Sequence, residues 1–233
     1  MYVEFKNITK KYGTKTALNV PLWSAKPGDV IGLVGSNGAG KTTFLRLVLD
    51  LLQADTGSVL IGGKCVSNYD TWKAQTGSYL DSTFLIDFLT PLEYFKFIGT
   101  VYGFENGQVE EAIAPYTNLL PFLETEPDSG FIRELSTGNA KKVGIVSALF
   151  PGPELLVLDE PFSNLDPPSQ IRLKQHIRRL ALEKNMTMII SSHDLGHVTD
   201  VCSRITLLDR GVVVRDDVTS PETLSQLKHY FSS

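Results

Sequence analysis

Cysteine is almost missing from this 233-residue chain. The two present, Cys65 and Cys202, have no CxxC partner and no metal-ligand spacing. A disulfide scaffold and a thiolate metal site are therefore excluded, and both thiols read as buried or half-buried groups in a reducing compartment. Long apolar runs are also missing: none approaches the ~20 residues of a membrane span. Any role at a membrane has to come through a partner chain. The opening stretch, MYVEFKNITKKYG, has no apolar h-region, so no signal peptide is expected. Nor is there a basic excess. With 22 Lys and Arg against 26 Asp and Glu, the net charge is −4, and without a basic block no nucleic-acid partner is expected. Repeats and low-complexity segments do not occur. What remains is a chain with 42% hydrophobic residues, the composition of an ordinary globular protein with enough apolar surface for a sizeable core.

The pattern along the chain alternates between two kinds. Residues 2–6 (YVEFK) alternate like a half-buried strand. PGDVIGLVG (27–35) is a turn and then a short apolar run ending in glycine, which reads as a buried parallel strand. TTFLRLVLDLLQ (42–53) carries apolar residues at helical spacing, including Leu51 and Leu52. SVLIGGK (58–64) reads as a strand and turn. Strand, glycine loop, helix and strand make an α/β opening. Residues 82–142 are rich in Phe, Tyr, Leu and Glu and read as mostly helical. The α/β pattern resumes with ELLVLDE (154–160), MTMIISS (186–192) and RITLLDRGVVV (204–214). The expected plan is a discontinuous α/β core, 1–81 and 143–233, with a helical subdomain at 82–142.

Two motifs carry phosphate chemistry. GSNGAGKTT (Gly35, Ser36, Asn37, Gly38, Ala39, Gly40, Lys41, Thr42, Thr43) matches G-x-x-x-x-G-K-[ST] between an expected strand and an expected helix. Its glycines let the backbone turn its N–H groups, with the helix N-terminus, toward α- and β-phosphates. Lys41 can reach the β/γ-phosphates, and the Thr42 hydroxyl suits Mg²⁺. LLVLDEP (155–161) is an apolar strand ending in two carboxylates. Asp159 is suited to hold Mg²⁺; Glu160, one residue on, is placed to polarise a water for attack on the γ-phosphate. Upstream of that strand, Leu135-Ser136-Thr137-Gly138-Asn139 precedes an expected helix. Alone it would be an ordinary N-cap. Beside the glycine loop it is a second phosphate-binding surface, which one chain can use only if another copy brings its nucleotide.

Taken together, these residues resemble the nucleotide-binding domains of ATP-binding cassette (ABC) proteins, from Tyr2 to about Val214. LSTGN resembles the family signature LSGGQ, departing at Thr137 and Asn139 but keeping Ser136 and Gly138. Ser163-Asn164-Leu165-Asp166 resembles the D-loop, and SSHD (191–194) the switch-histidine segment. The resemblance implies a P-loop NTPase core of the ABC type with a small antiparallel β-subdomain and an inserted helical subdomain. It implies ATP and Mg²⁺ as ligands, Lys41, Glu160 and His193 as the catalytic set, and Tyr12 stacked on adenine. Thr42 and Asp159 would hold the metal. Where the family carries a Gln after the strand entering the insertion, this chain carries Asp81, still an oxygen donor. The partners implied are a second nucleotide-binding subunit, identical or a paralogue, and a transmembrane permease, which would place the chain at the cytoplasmic face of the membrane. LTPLEYFKFIGTVYG looks more like stand-alone exporter subunits than importer subunits. A ribosome- or nucleic-acid-directed cassette is the alternative; it is disfavoured because there is one cassette and only a short insertion. A non-hydrolysing regulatory cassette is disfavoured by Glu160 and His193.

Overall fold

The computed structural model describes residues 1–105, 107–125 and 130–232. Two sheets organise it. The first is antiparallel, in the order β2-β1-β4-β5, from β1 (Val3–Tyr12), β2 (Lys15–Ala25), β4 (Thr56–Ile61) and β5 (Lys64–Cys65). The second has six strands in the order β10-β9-β3-β8-β7-β6. These are β3 (Val30–Val34), β6 (Thr76–Tyr79), β7 (Leu155–Leu158), β8 (Thr187–Ser192), β9 (Arg204–Asp209) and β10 (Val212–Val218). Its strands pair in parallel except β10, which returns antiparallel on β9. The expected α/β core, the small antiparallel sheet and the helical insertion are all present.

Strands β3 and β7 are apolar throughout because both faces of the sheet are covered. Ile31 and Leu33 of β3, with Leu155 and Val157 of β7, face the side carrying the antiparallel sheet and α1 (Lys41–Val48). Val30 and Val34, with Leu156 and Leu158, face the other side. There they meet α5 (Thr137–Leu149), α6 (Pro167–Lys184), α7 (Leu195–Val201) and residues of the helical segment. An aromatic cluster fixes α1 on the antiparallel sheet: Phe44 stacks on Phe5 at 4.3 Å between centroids and meets Trp23 edge-on at 4.8 Å. The helix that starts at the glycine loop is thereby held by both sheets.

Local sequence explains the helix starts. In LTPLE, Thr90 and Glu93 form a reciprocal capping box with Pro91 in the first turn of α2 (Pro91–Val101). The helical segment continues through α3 (Gln108–Ile113) and α4 (Phe122–Thr125), and the chain ends in α8 (Thr223–Ser232). One sequence expectation is corrected. The helix expected to 53 ends at Val48, because Asp50 adopts a left-handed backbone (φ 53°) and Leu51 N bonds back to Arg46 O at 2.9 Å. Leu51 is then half exposed rather than packed. RITLLDRGVVV forms the β9–β10 hairpin, turning at Arg210 and Gly211, both with positive φ. Helix α5 runs unbroken across residue 142.

Candidate nucleotide site

Strand β3 delivers Gly35 to a place where a side chain cannot fit: a Cβ there would lie 2.4 Å from Leu208 O. Gly40 closes the loop with φ 109°, and its Cβ would lie 2.7 Å from Ala17 O. No side chain caps α1. Its first N–H groups are therefore offered to whatever enters, and an anion suits them best. Lys41 is buried and folds back on the loop, donating to Gly35 O at 2.8 Å and to Ser36 O at 3.4 Å.

The exit of β7 supplies the carboxylates. Asp159 is buried; its Oδ2 accepts from Thr42 Oγ1 at 2.7 Å and its Oδ1 accepts from Ser191 Oγ. Glu160 has a left-handed backbone, φ 47°, and its N–H donates to Ser191 Oγ at 2.9 Å. One of its carboxylate oxygens accepts from His193 Nδ1 at 2.9 Å, and the other lies 3.6 Å from Lys41 Nζ. Lys41, Thr42, Asp159, Glu160 and His193, far apart in sequence, thus form one polar chain at the strand ends. A basic group, a hydroxyl and two carboxylates suit phosphoryl transfer to water, and an imidazole beside the outer carboxylate can orient it.

Lys41, Thr42, Asp159 and Glu160 border a cleft of about 760 Å³, within the size range of small-molecule sites. Tyr12, at the end of β1, is half exposed at this cleft, with the Lys10 ammonium 5.9 Å from its ring centre. Asp81 also lines the cleft, but its Oδ1 is engaged: it accepts from Thr83 N at 2.8 Å and from the Thr83 hydroxyl, capping the turn Ser82–Phe84. Ser136 caps α5 by accepting from Asn139 N at 3.2 Å. Ser136 and Gly138 line a separate surface depression, while their neighbour Thr137 also reaches the cleft. The cleft wall includes Asn164 of the D-loop segment, and also Lys15, Lys141 and Arg210, which the motifs did not single out. Arg210 comes from the β9–β10 turn, whose Gly211 N–H donates to Ala39 O at 2.8 Å and so supports the glycine loop from behind.

The profile of the ABC transporter family matches residues 18–163, more than half of the chain. The chain belongs to the ABC transporter family. It is an ATP-binding cassette of the ATPase type. The linearmycin resistance ATP-binding protein LnrL of Bacillus subtilis is 32% identical over 91% of this cassette and 68% of its own length. An ABC transporter ATP-binding protein of Synechocystis is 32% identical over 90% of the chain, which spans 60% of that relative. The sulfate/thiosulfate import ATP-binding protein CysA of Pectobacterium atrosepticum is 30% identical. Relatives therefore include a resistance protein and an import protein. Among solved structures, an ATP-binding subunit of an ABC transporter superposes with a TM-score of 0.84 at 25% identity, covering 100% of this chain and 94% of that one. A dimeric bacterial ABC transporter cassette gives 0.83 at 25% identity, with 94% and 99% covered. The same kind of cassette in a post-hydrolysis dimer bound to ADP and Pi gives 0.80 at 26%. Among the described residues, no helix is long and apolar enough to cross a membrane.

Proposed function

We propose that this cassette is the motor of a membrane transporter, hydrolysing ATP in a head-to-tail pair with a second cassette and driving separate transmembrane permease subunits. One observation carries the reading. Lys41, Thr42 and Glu160 line the cleft, whereas Ser136 and Gly138 of the same chain open onto a different depression. A second cassette would supply its own Ser136 and Gly138 to the γ-phosphate, completing each site only on closure.

Within that site the chain's residues have separable tasks. Lys41 would exchange its loop carbonyls for β- and γ-phosphate oxygens, and the uncapped start of α1 would hold the phosphates behind them. The donor set fits Mg²⁺. Thr42 Oγ1 and the Asp159 carboxylate converge within 2.7 Å. Among the described residues no cluster of three or more His, Cys, Asp or Glu could hold an ion alone. Mg²⁺ is usually held by one or two protein oxygens together with phosphates and waters. When bound it would neutralise charge on the β- and γ-oxygens. Asp81 is proposed as a further oxygen donor from the cleft wall. Glu160 would take the proton of the attacking water, with His193 orienting its carboxylate and contacting the γ-phosphate. Tyr12 would stack on adenine.

The helical segment supports a permease contact. Phe84, Phe88, Leu92, Phe97 and Val101 are 42–66% exposed within one stretch. Phe131, also exposed, is brought beside it by Ile132 N donating to Leu89 O at 2.8 Å. Grouped exposed apolar side chains mark protein contacts. The chain would then sit at the cytoplasmic face of the membrane, held by its partner. For direction we favour export, from the likeness of residues 89–103 to stand-alone exporter subunits. Purification of the tagged chain from native membranes tests the assignment. A polytopic membrane protein should accompany it; recovery wholly in the soluble fraction with ribosomes would overturn it.

A further inference from the structure

Lys141 lies one turn into α5 and is 8% exposed. Its ammonium donates to Glu160 O at 2.8 Å, Ser163 O at 2.9 Å and Ser163 Oγ at 2.6 Å. An ammonium has three N–H donors, so each one is used. Ser163 Oγ in turn donates to Glu160 O at 2.9 Å, closing a ring around that carbonyl. The two carbonyls that Lys141 holds border backbone exceptions. Glu160 itself has φ 47°, and Asn164, which follows Ser163, has φ 60°. Non-glycine residues rarely take this conformation and keep it only where their surroundings impose it. At Glu160 the imposing groups are identifiable: Ser191 Oγ accepts from its N–H, and Lys141 and Ser163 donate to its carbonyl.

Relaxing that backbone would swing the carboxylate that now meets His193 and Lys41. We propose that Lys141 is the positioning residue for Glu160, locking the left-handed turn that aims its carboxylate at the attacking water. Lys141 also stands on the helix whose first turn carries Ser136 and Gly138. Its ammonium thus joins the surface offered to the partner's nucleotide to the carboxylate serving the chain's own. The neighbouring Lys142 is equally buried but pairs with Asp166 at 3.9 Å, and it has no part in the ring. The inference rests on Glu160 being the general base.

The test uses the full chain with Lys141→Met, which keeps length and removes the donors, and Ser163→Ala, which opens the ring more gently. Lys141→Met should lower kcat by about tenfold or more and leave KM for ATP within about threefold, because the phosphate cradle is untouched. Ser163→Ala should move kcat in the same direction by less, and it carries the test if Lys141→Met does not fold. In a Glu160→Gln background, Lys141→Met should still form the ATP-dependent dimer at the ATP concentration the single variant needs. Parent-like kcat in both variants, or loss of that dimer, would make Lys141 a filler or a packing residue and overturn the inference. Turnover that survives Glu160→Gln in the parent would instead remove the role of Glu160, and the inference with it.

Discussion

Asp81 has two possible tasks in this fold, and one substitution separates them. Its Oδ1 caps the turn Ser82–Phe84 through Thr83, while the side chain stands in the wall of the cleft that holds Thr42 and Asp159. Asp81→Asn keeps an oxygen to accept from Thr83 N and removes the charge. Asp81→Ala removes both, and loss of such a cap costs about 1 kcal/mol of local stability. The charge acts on binding instead. Two unit charges ~5 Å apart at an effective dielectric of ~20 interact by roughly 3 kcal/mol. Asp81 is only half-buried, so solvent screening reduces this to about 1 kcal/mol, or about fivefold in affinity. ATP without metal should therefore bind Asp81→Asn about fivefold more tightly than the parent. A neutral amide is a poorer ligand for a hard cation than a carboxylate, so turnover should need more Mg²⁺. The assay is ATPase rate against Mg²⁺, with metal-free ATP affinity, for parent, Asn and Ala forms. If Asn matches the parent in both measurements and only Ala differs, Asp81 is a turn cap, and its proposed place beside the metal is wrong.

Tyr12→Ala should weaken ATP binding by about 1–3 kcal/mol with little change in kcat, since stacking serves the base and not the γ-phosphate; titration with a fluorescent ATP analogue measures it, and unchanged affinity refutes it. Gly138→Ala places a Cβ 2.8 Å from Asn164 O, so ATP-driven dimerisation should fall while ATP affinity of the single chain holds; a dimer of parent strength would contradict it. His176, buried between Asn118 (2.8 Å) and Arg179 (3.2 Å), has its pKa pushed down to about 4, by burial first and by Arg179 second. The neutral form is favoured in the fold, so stability is complete above the ordinary pKa of ~6.5 and is lost as pH falls toward 4, by about 2 kcal/mol at pH 5. Urea unfolding at pH 7 and pH 5 should show a smaller pH difference for His176→Gln than for the parent; equal differences would exclude His176 as the source.

The nucleotide cradle could be read from sequence because its chemistry is local. A buried strand, a glycine loop and a helix start occupy consecutive residues, and GSNGAGKTT states them in order. The Asp159–Glu160 pair was legible for a similar reason: two carboxylates directly after an apolar strand mark the end of that strand. What stayed hidden depends on distant pairing. Lys141 meets Glu160 and Ser163 across a helix-to-loop approach that no periodicity records. Arg210 reaches the cleft because the β9–β10 hairpin turns at this left-handed residue. The early end of α1 was missed because Leu51 and Leu52 fit helical spacing, while the left-handed turn at Asp50 overrides it. Asp81 was legible as a cleft residue, but its bond to Thr83 two residues on was not.

The central claim is that Glu160 drives hydrolysis within a site completed by a second cassette, and Glu160→Gln tests it most directly. The amide cannot accept the water proton, and the cradle formed by Gly35, Lys41 and Thr42 is left intact. Gel filtration with ATP and Mg²⁺, run alongside phosphate release, reads both halves at once. Turnover should fall by about two orders of magnitude or more, and the variant should elute as a dimer that separates when nucleotide is removed. Phosphate release near the parent rate, or a variant that stays monomeric at saturating ATP, would contradict it.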